Sequence, residues 1–261
     1  MTILRHELKQ NKKSLIIWIV AIAFLLATCI FLFPEMKGEM DSVSEVFSSM
    51  GGFSEAFGMD KVSFGTLTGF YSVECGNILG LGGAFFVALT AVTILAKEEK
   101  EHTGEFLLTH PISRIEVVTG KLIAVLVQVV VMNLIIYLVA IGSMAVIGEE
   151  IPWKEITLLH TAYLLMQLEL GGICFGVSAF LRKGSLGIGL GIAIIMYFLN
   201  IRTNISESTE FLKYITPFAY AEGTDIVSNL SLDISLIVLG MAYGIAGIIC
   251  GYIKYSKKDI A

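Results

Sequence analysis

The sequence predicts an all-α polytopic membrane protein with six transmembrane helices. Hydrophobic residues make up 55% of the 261-residue chain, and its mean hydropathy is +0.79. Apolar runs long enough to cross the roughly 30 Å hydrocarbon core of a bilayer recur along its whole length. Because few residues are left for a soluble domain, we expect residues 1–261 to form a single transmembrane domain. The predicted spans cover about residues 15–33, 75–96, 122–147, 158–181, 184–200 and 234–254.

The first span follows a basic segment, as the apolar core of a secretory signal peptide would. Its ~19 apolar residues nevertheless exceed the length of such a core. Phe33-Pro34-Glu35 comes next, in place of a cleavage site made of small residues. We therefore expect an uncleaved transmembrane helix.

The distribution of Lys and Arg predicts the orientation of the chain. With the N-terminus inside, the cytoplasmic segments hold 13 of these residues and the outer segments hold 5, although the outer segments are longer. An excess of positive charge marks the cytoplasmic side of a membrane protein. Both termini are therefore expected in the cytoplasm.

Two outer loops contain apolar residues among polar ones. Loop 34–73 has an apolar series at helical spacing with a break at Gly51-Gly52, which predicts an amphipathic helix at the outer membrane surface. This helix could cover the bundle or contact a substrate. In loop 201–233, Pro217 interrupts any helix, and the run of apolar residues is too short to cross the membrane. Short helices that enter the outer leaflet and return are therefore expected. The apolar residues are Val43, Val46, Phe47, Met50 and Phe57 in the first loop and Phe211, Leu212, Ile215, Phe218 and Ala219 in the second.

Three spans carry glycines along one face. This spacing lets neighbouring helix backbones approach closely, which favours helix association in lipid. The glycine faces could pack spans within one subunit or form an interface between subunits. The residues are Gly76, Gly80 and Gly83 in the second span, Gly172 and Gly176 in the fourth, and Gly240, Gly244, Gly247 and Gly251 in the sixth.

No catalytic motif is complete in this chain. His6-Glu7 lacks the second histidine of an HExxH zinc site, and Gly120-Lys121 lacks the remaining residues of a phosphate-binding P-loop. The four cysteines have no metal-ligand spacing. The net charge of −5 says nothing about nucleic acid, because the basic residues follow the membrane topology; no basic patch is interleaved with aromatic residues, and we expect no nucleic-acid partner. We expect no enzymatic activity and no cofactor or metal bound by this chain.

Glu169 is an ionisable residue near the centre of the fourth span. A charged residue there costs about 2.5–3.5 kcal/mol on insertion scales, so it usually faces a cavity, a partner or a proton path. Gly172 and Gly176 follow on the same helix face, which places Glu169 on the packed side. It could line a pathway or form a hydrogen-bonded bridge between spans. Gln128 in the third span is a second pathway candidate; Asn133 lies roughly 140° away around that helix and cannot face the same pathway.

A charged island of about 25 residues, 97–121, separates the second and third spans. A turn between spans needs only a few residues. This segment instead holds a short amphipathic piece, in which Phe106, Leu107 and Leu108 follow acidic residues and precede a Pro-Ile-Ser-Arg sequence. Such apolar groups cannot be buried in a thin loop unless a partner covers them, and charged hydrogen bonds can surround them. The pattern predicts a docking helix for a cytoplasmic partner.

The chain resembles the permease subunit of type 2 ABC (ATP-binding cassette) exporters, a bacterial family with six spans and both termini inside. The most specific match is Glu-His-Thr-Gly-Glu-Phe-Leu-Leu-Thr-His-Pro-Ile-Ser-Arg at 101–114, followed by Gly120-Lys121. The family has a Gly-Thr pair where this chain reads Thr103-Gly104. Weaker matches are the Leu-Lys-Tyr-Ile-Thr-Pro-Phe segment at 212–218 and the basic tail at 255–260.

The resemblance implies a coupling helix that docks into a cleft of a separate ATP-binding subunit. It also implies a complex of two permeases, identical or paralogous, with two ATPase subunits that hold ATP and Mg²⁺, in the bacterial cell membrane. Members of the family move drugs, antimicrobial peptides, lipids, polysaccharides and ions. A non-transporting anchor or sensor, or a proton-coupled carrier using Glu169, remain alternatives. The residues assigned to ATPase coupling are Glu101, Thr103, Gly104, Glu105, Phe106, Leu107, Leu108, Pro111, Ile112 and Arg114.

Overall fold

The structure is a computed structural model that describes residues 2–38, 46, 50–97, 113–181 and 185–258. Every regular element in these ranges is helical. In chain order they are α1 (Thr2–Met36), α2 (Gly52–Ala56), α3 (Leu67–Cys75), a π-helical segment (Gly76–Leu81), α4 (Gly82–Ile94), α5 (Arg114–Ile147), α6 (Trp153–Ser178), α7 (Leu186–Ile205), a 3₁₀ helix (Glu207–Tyr214), α8 (Gly223–Asn229) and α9 (Ile234–Lys257).

Six helices in the described ranges are long and apolar enough to cross a membrane, which confirms the predicted fold class. They are α1, the continuous helix formed by α3, the π-helical segment and α4, and the single helices α5, α6, α7 and α9. With 35 and 34 residues, α1 and α5 are each about 50 Å long. Both extend past their predicted spans, because hydropathy marks the part of a helix that lies in lipid and not the residue at which the helix ends.

The second long helix begins at Leu67, although the predicted span begins at 75. The Thr66 hydroxyl caps this helix by accepting a hydrogen bond from the Gly69 amide at 3.1 Å. The side chains of Phe70, Tyr71 and Val73 are buried in the bundle. Residues 67–74, which hydropathy assigns to the outer loop, are therefore helical and pack against the other helices of the bundle.

The same helix widens into a π-helical turn at Gly76–Leu81. The ring of Tyr163 lies against Gly76 and Gly80, and the Gln167 side chain donates a hydrogen bond to the Leu79 carbonyl at 3.4 Å. Short π-helical turns are uncommon and are frequent at functional sites. This one faces α6, the helix that carries Glu169.

Helix α6 is the centre of the bundle and packs against α4, α5 and α9. A Cβ atom added at Gly172 or Gly176 of α6 would overlap the backbone of Gly244 or Gly247 of α9. The two glycine faces therefore bring these helices into backbone contact, as small-residue faces do in membranes. The predicted role in packing within one subunit is confirmed for these four glycines.

The described parts of the two predicted outer loops form short helices. Helix α2 begins directly after Gly51, whose φ is +54°, so the predicted break at Gly51-Gly52 is confirmed. Val43 and Phe47 lie outside the described residues. In the last outer loop, the turn at Pro217 separates the 3₁₀ helix from α8, and Phe218 and Tyr220 are buried.

Large apolar side chains are exposed along α1, α7 and α9. In a membrane protein such faces contact lipid tails or another subunit rather than water. The most exposed on each helix are Ile17, Val20 and Phe24 on α1, Ile195 and Phe198 on α7, and Ile234 and Val238 on α9. The polar functional candidates therefore lie in the interior and at the two ends of the bundle.

Candidate functional site

The predicted docking loop starts and ends at described residues. Of the residues assigned to ATPase coupling, Arg114 is described, and Glu101, Thr103, Gly104, Glu105, Phe106, Leu107, Leu108, Pro111 and Ile112 lie outside the described residues. Ser113 caps α5: its hydroxyl accepts from the Glu116 amide at 3.2 Å, and the Glu116 carboxylate accepts from the Ser113 amide at 2.9 Å. This is a capping box, so Ser113 and Glu116 fix the start of α5.

A buried ionic cluster lies where the loop leaves and re-enters the bundle. Lys121 donates hydrogen bonds to Glu7 Oε1 at 2.7 Å and to the Ile94 carbonyl at 2.8 Å. Lys97 Nζ lies 3.7 Å from Glu7 Oε2. Glu7 is 2% exposed and Lys121 is fully buried. We call these four residues the loop-base clasp; it joins α1, α4 and α5.

Gly120 lies beside the clasp, where α5 crosses α1. A Cβ atom at this position would lie 3.1 Å from the Cβ of Ile3, which is tighter than ordinary van der Waals contact. The absent side chain of Gly120 lets α1 approach α5, and the next residue, Lys121, then reaches Glu7. The Gly-Lys pair of the sequence motif therefore has a structural role at this helix crossing.

Arg114 connects the same end of α5 to the end of α9. Its guanidinium Nη1 donates to the carbonyls of Ser256 at 3.2 Å and Lys258 at 2.5 Å. A cation stabilises the C-terminal end of a helix, where carbonyl groups lack partners. In this structure Arg114 thus holds the tail of the chain against the base of the loop.

Glu169 lies inside the bundle, on the packed face predicted from its neighbouring glycines. Its side chain is 1% exposed, and its Oε2 accepts a hydrogen bond from the Tyr220 hydroxyl at 2.8 Å. A Cβ atom added at Gly240 of α9 would overlap the carboxyl group. Glu169 therefore bridges α6 to the turn at residues 215–222, between the 3₁₀ helix and α8, which we call the outer turn. Its carboxyl group also occupies the space that Gly240 leaves free.

Gln128 and Asn133 are both buried in α5 but have different neighbours. Gln128 donates to the Ala124 carbonyl of its own helix at 2.9 Å. Asn133 donates to Gln167 Oε1 at 2.7 Å, and Gln167 in turn donates to Leu79. The amide chain that links α5, α6 and the π-helical turn therefore starts from Asn133 and does not include Gln128, the pathway candidate.

A polar cavity of about 590 Å³ opens at the opposite end of the bundle from the clasp, between the end of α7, the outer turn, α8 and the start of α9. Its charged lining residues are Lys61, Glu210, Lys213, Glu222, Asp225 and Asp233. Within the described ranges no group of His, Cys, Asp or Glu has the arrangement of a metal site.

Comparison with known proteins identifies the family. The chain matches the family model described as "ABC-2 family transporter protein" over residues 1–260. The protein is an ABC-2 transporter permease. The permease is also 25% identical over 217 residues to the uncharacterized protein YhcI of Bacillus subtilis strain 168, with 73% of this chain and 68% of that protein covered.

Family membership confirms the resemblance found in the loop motif. An ABC-2 permease is the membrane component of a transporter and not its ATPase, and the family associates with ATPase subunits. The six apolar helices agree with a multi-pass protein of the cell membrane, and the family indicates a bacterial one.

The clasp does not follow from the sequence motifs, although both of its buried charges belong to one. Glu7 lies in an incomplete zinc motif and Lys121 in an incomplete P-loop. The two residues are 114 positions apart, so no local spacing connects them. One signal was available: Lys121 directly precedes an apolar run, and a lysine buried in a helix bundle requires an acidic partner.

Proposed function

We propose that this permease forms an ATP-driven exporter with a second permease and two ATPase subunits, and that loop 97–121 docks onto the ATPase. The loop-base clasp is the observation that carries the proposal. It ties the two ends of the loop to α1, α4 and α5 through buried polar contacts. A displacement of the loop would therefore move three membrane helices together.

Rigid connection is what a transporter driven by a separate ATPase requires. The chain has no P-loop, so the energy of ATP hydrolysis must reach it through contact with a partner. Buried helix ends that are joined by an ion pair and capped by a hydrogen-bonded box move as a unit instead of bending separately. Rigid-body tilting of packed helices is an established mode of switching in proteins.

Charged substitutions in the apolar centre of the loop test the docking role. In Leu107→Asp and Leu108→Asp, a charge enters an interface that excludes water, at a cost of several kcal/mol. We expect the tagged permease to be recovered folded from native membranes with at least tenfold less co-eluting ATPase activity than the wild type. Phe211→Asp is the matched control, because Phe211 is an exposed apolar residue at the opposite end of the bundle; it should retain the ATPase.

Recovery of normal ATPase activity with both loop variants would contradict the docking assignment. The export role is tested separately with the reconstituted complex in inverted vesicles, by ATP-dependent accumulation across a panel of peptides and hydrophobic drugs. A complex that hydrolyses ATP but accumulates none of the panel would favour the anchor or sensor alternative. ATP-dependent accumulation would establish a transporter that moves its substrate away from the ATPase side.

A further inference from the structure

The cavity opposite the clasp carries an excess of negative charge. Four carboxylates and two lysines line it. Lys61 forms an ion pair with Asp225 at 2.8 Å, and Lys213 forms one with Glu210 at 2.6 Å. Each lysine is therefore already paired with one of the carboxylates, and the charges of Glu222 and Asp233 remain.

The two remaining carboxylates differ in their surroundings. Asp233 caps α9 by accepting a hydrogen bond from the Leu236 amide at 3.1 Å, where the helix terminus supplies partial positive charge. Glu222 precedes α8 and is partly buried, with no lysine or arginine of the described residues within ion-pair distance. Lys61 acts on Glu222 only from beyond ion-pair distance, so Glu222 is a cavity carboxylate with neither an ion pair nor a helix terminus as its partner.

Neutral amide groups donate hydrogen bonds to only one of the two carboxylate oxygens of Glu222. The side chains of Asn200 and Asn204 both donate to Glu222 Oε2, at 2.7 and 3.1 Å. No residue in the described ranges donates a hydrogen bond to Glu222 Oε1. The carboxylate is therefore oriented by α7 while one of its two oxygens remains free to accept from a ligand.

A small inner chamber of about 40 Å³ adjoins the cavity, and Asn200 and Glu222 line both spaces. Tyr163 also lines this chamber. Its side chain is 1% exposed, and its hydroxyl has no hydrogen-bond partner among the described residues. A buried hydroxyl without a partner costs about 1–3 kcal/mol. The chamber has room for roughly two or three water molecules, which would satisfy Tyr163 and reach a ligand at Glu222.

The remaining walls of the cavity are partly apolar. Ala219, Ile226, Leu232 and Leu236 line it together with Tyr220. A cavity of this size is typical of sites for small organic molecules, in which an apolar surface is combined with a few oriented polar groups. A bare metal ion would leave these apolar walls without contact.

We propose that this cavity binds an organic cation, a primary ammonium or guanidinium group on a small apolar body, with Glu222 as its counter-ion. The cation donates to Glu222 Oε1 and, through water in the inner chamber, connects to Tyr163. Its apolar body lies against Ala219 and Ile226. The site needs only the permease, so the proposal holds or fails independently of the docking of an ATPase.

Binding to the purified permease in nanodiscs tests this site, with 2-phenylethylammonium as the probe and isothermal titration calorimetry as the measurement. We expect saturable binding that exceeds the signal of empty nanodiscs. The neutral analogue 2-phenylethanol, of nearly the same shape, should bind at least tenfold more weakly. Glu222→Gln should weaken probe binding at least tenfold, whereas Glu150→Gln, at an exposed carboxylate that does not line the cavity, should leave it unchanged.

A second variant keeps the test decisive if Glu222→Gln does not fold. Ala219→Trp fills the cavity and leaves Glu222 in place, and it should also abolish binding of the probe. The proposal is overturned by absence of saturable binding to the wild type, by equal binding of the neutral analogue, or by wild-type affinity in a folded Glu222→Gln or Ala219→Trp variant.

Discussion

Glu169 shows how this bundle accommodates a carboxyl group in the middle of a helix. Gly240 leaves the space that the carboxyl group occupies, and Tyr220 supplies the hydrogen-bond donor. The glycine on α9 and the tyrosine after Pro217 are therefore matched to one acidic residue on α6. Tyr220 also lines the outer cavity, so Glu169 is one hydrogen bond away from a space that a ligand can enter.

Substitutions at Glu169 separate its bridging role from a role as a charge. Glu169→Gln keeps an oxygen that can accept from Tyr220, so its stability should be close to that of the wild type. Glu169→Leu removes the acceptor, leaves the Tyr220 hydroxyl unsatisfied, and should cost about 1–3 kcal/mol. The measurement is the thermal stability of the purified permease, with Gln128→Leu as a control for loss of a buried polar side chain that bonds only within its own helix.

The functional part of this experiment uses transport by the reconstituted complex around neutral pH. If Glu169 lines a proton or charge pathway, Glu169→Gln folds normally but changes transport or its pH dependence. Wild-type transport by Glu169→Gln removes the residue from the pathway. A Glu169→Leu variant as stable as the wild type would instead contradict the bridge.

Among the helices, α1 is joined by the clasp to both ends of loop 97–121, so the proposed docking of this loop would also move α1. Most of α1 lies on the surface of the bundle, as expected of a peripheral helix. Its N-terminal end nevertheless carries Glu7, which contacts cations on both sides of the loop. The N-terminal segment is therefore packed against α4 and α5 through a buried ionic contact.

Removing one charge of the clasp should be more harmful than removing both. Lys121→Met removes the close, buried partner of Glu7 and leaves its carboxylate with only the longer contact to the partly exposed Lys97, so we expect a loss of stability of about 3–5 kcal/mol. The double variant Lys121→Met with Glu7→Gln also removes the buried negative charge and should recover part of this loss. Lys97→Met is the control: Lys97 is partly exposed and 3.7 Å from Glu7, so its contribution should stay below about 1 kcal/mol.

Denaturation of the purified permease measures these differences, and ATPase activity of the complex measures coupling. A double variant that is no more stable than Lys121→Met would show that the packing of the lysine stem, and not the charge pair, stabilises the helix crossing. A stable double variant whose ATPase no longer responds to substrate would support transmission through the clasp.

An element of this fold can be predicted from the sequence where a local property, such as hydropathy or glycine spacing, determines it. Hydropathy identified all six long helices, and glycine spacing identified packed faces of α6 and α9 but not that these two helices contact each other. Helix limits were less predictable, because Thr66 capping and burial of Phe70 bring a polar segment into the second helix. The π-helical turn and the pairs Glu7–Lys121 and Glu169–Tyr220 depend on residues far apart in sequence, which a local pattern does not reveal.

At the scale of the whole molecule, the six long apolar helices of the described ranges predict an even number of crossings and therefore both chain termini on one side of the membrane, and the Lys and Arg distribution predicts which side. Two of the residues counted as cytoplasmic, Arg114 and Lys121, also have structural partners in the bundle. The remaining basic residues still favour the same orientation, since only five of the 18 lie in the opposite segments.

Cysteine labelling in intact cells tests this orientation. The four native cysteines are first replaced by alanine, because Cys250 is exposed. A cysteine in place of Ser44 or Ser228 should then react with an impermeant thiol reagent from outside, whereas one in place of Ser113 or Ser256 should react only after the membrane is permeabilised. Ser228, Ser113 and Ser256 are exposed in the structure, so a lack of reaction reports the side of the membrane and not burial in the bundle. Labelling of Ser113→Cys and Ser256→Cys from outside would place the docking loop away from the ATP-containing compartment, and an ATPase could not then drive this permease.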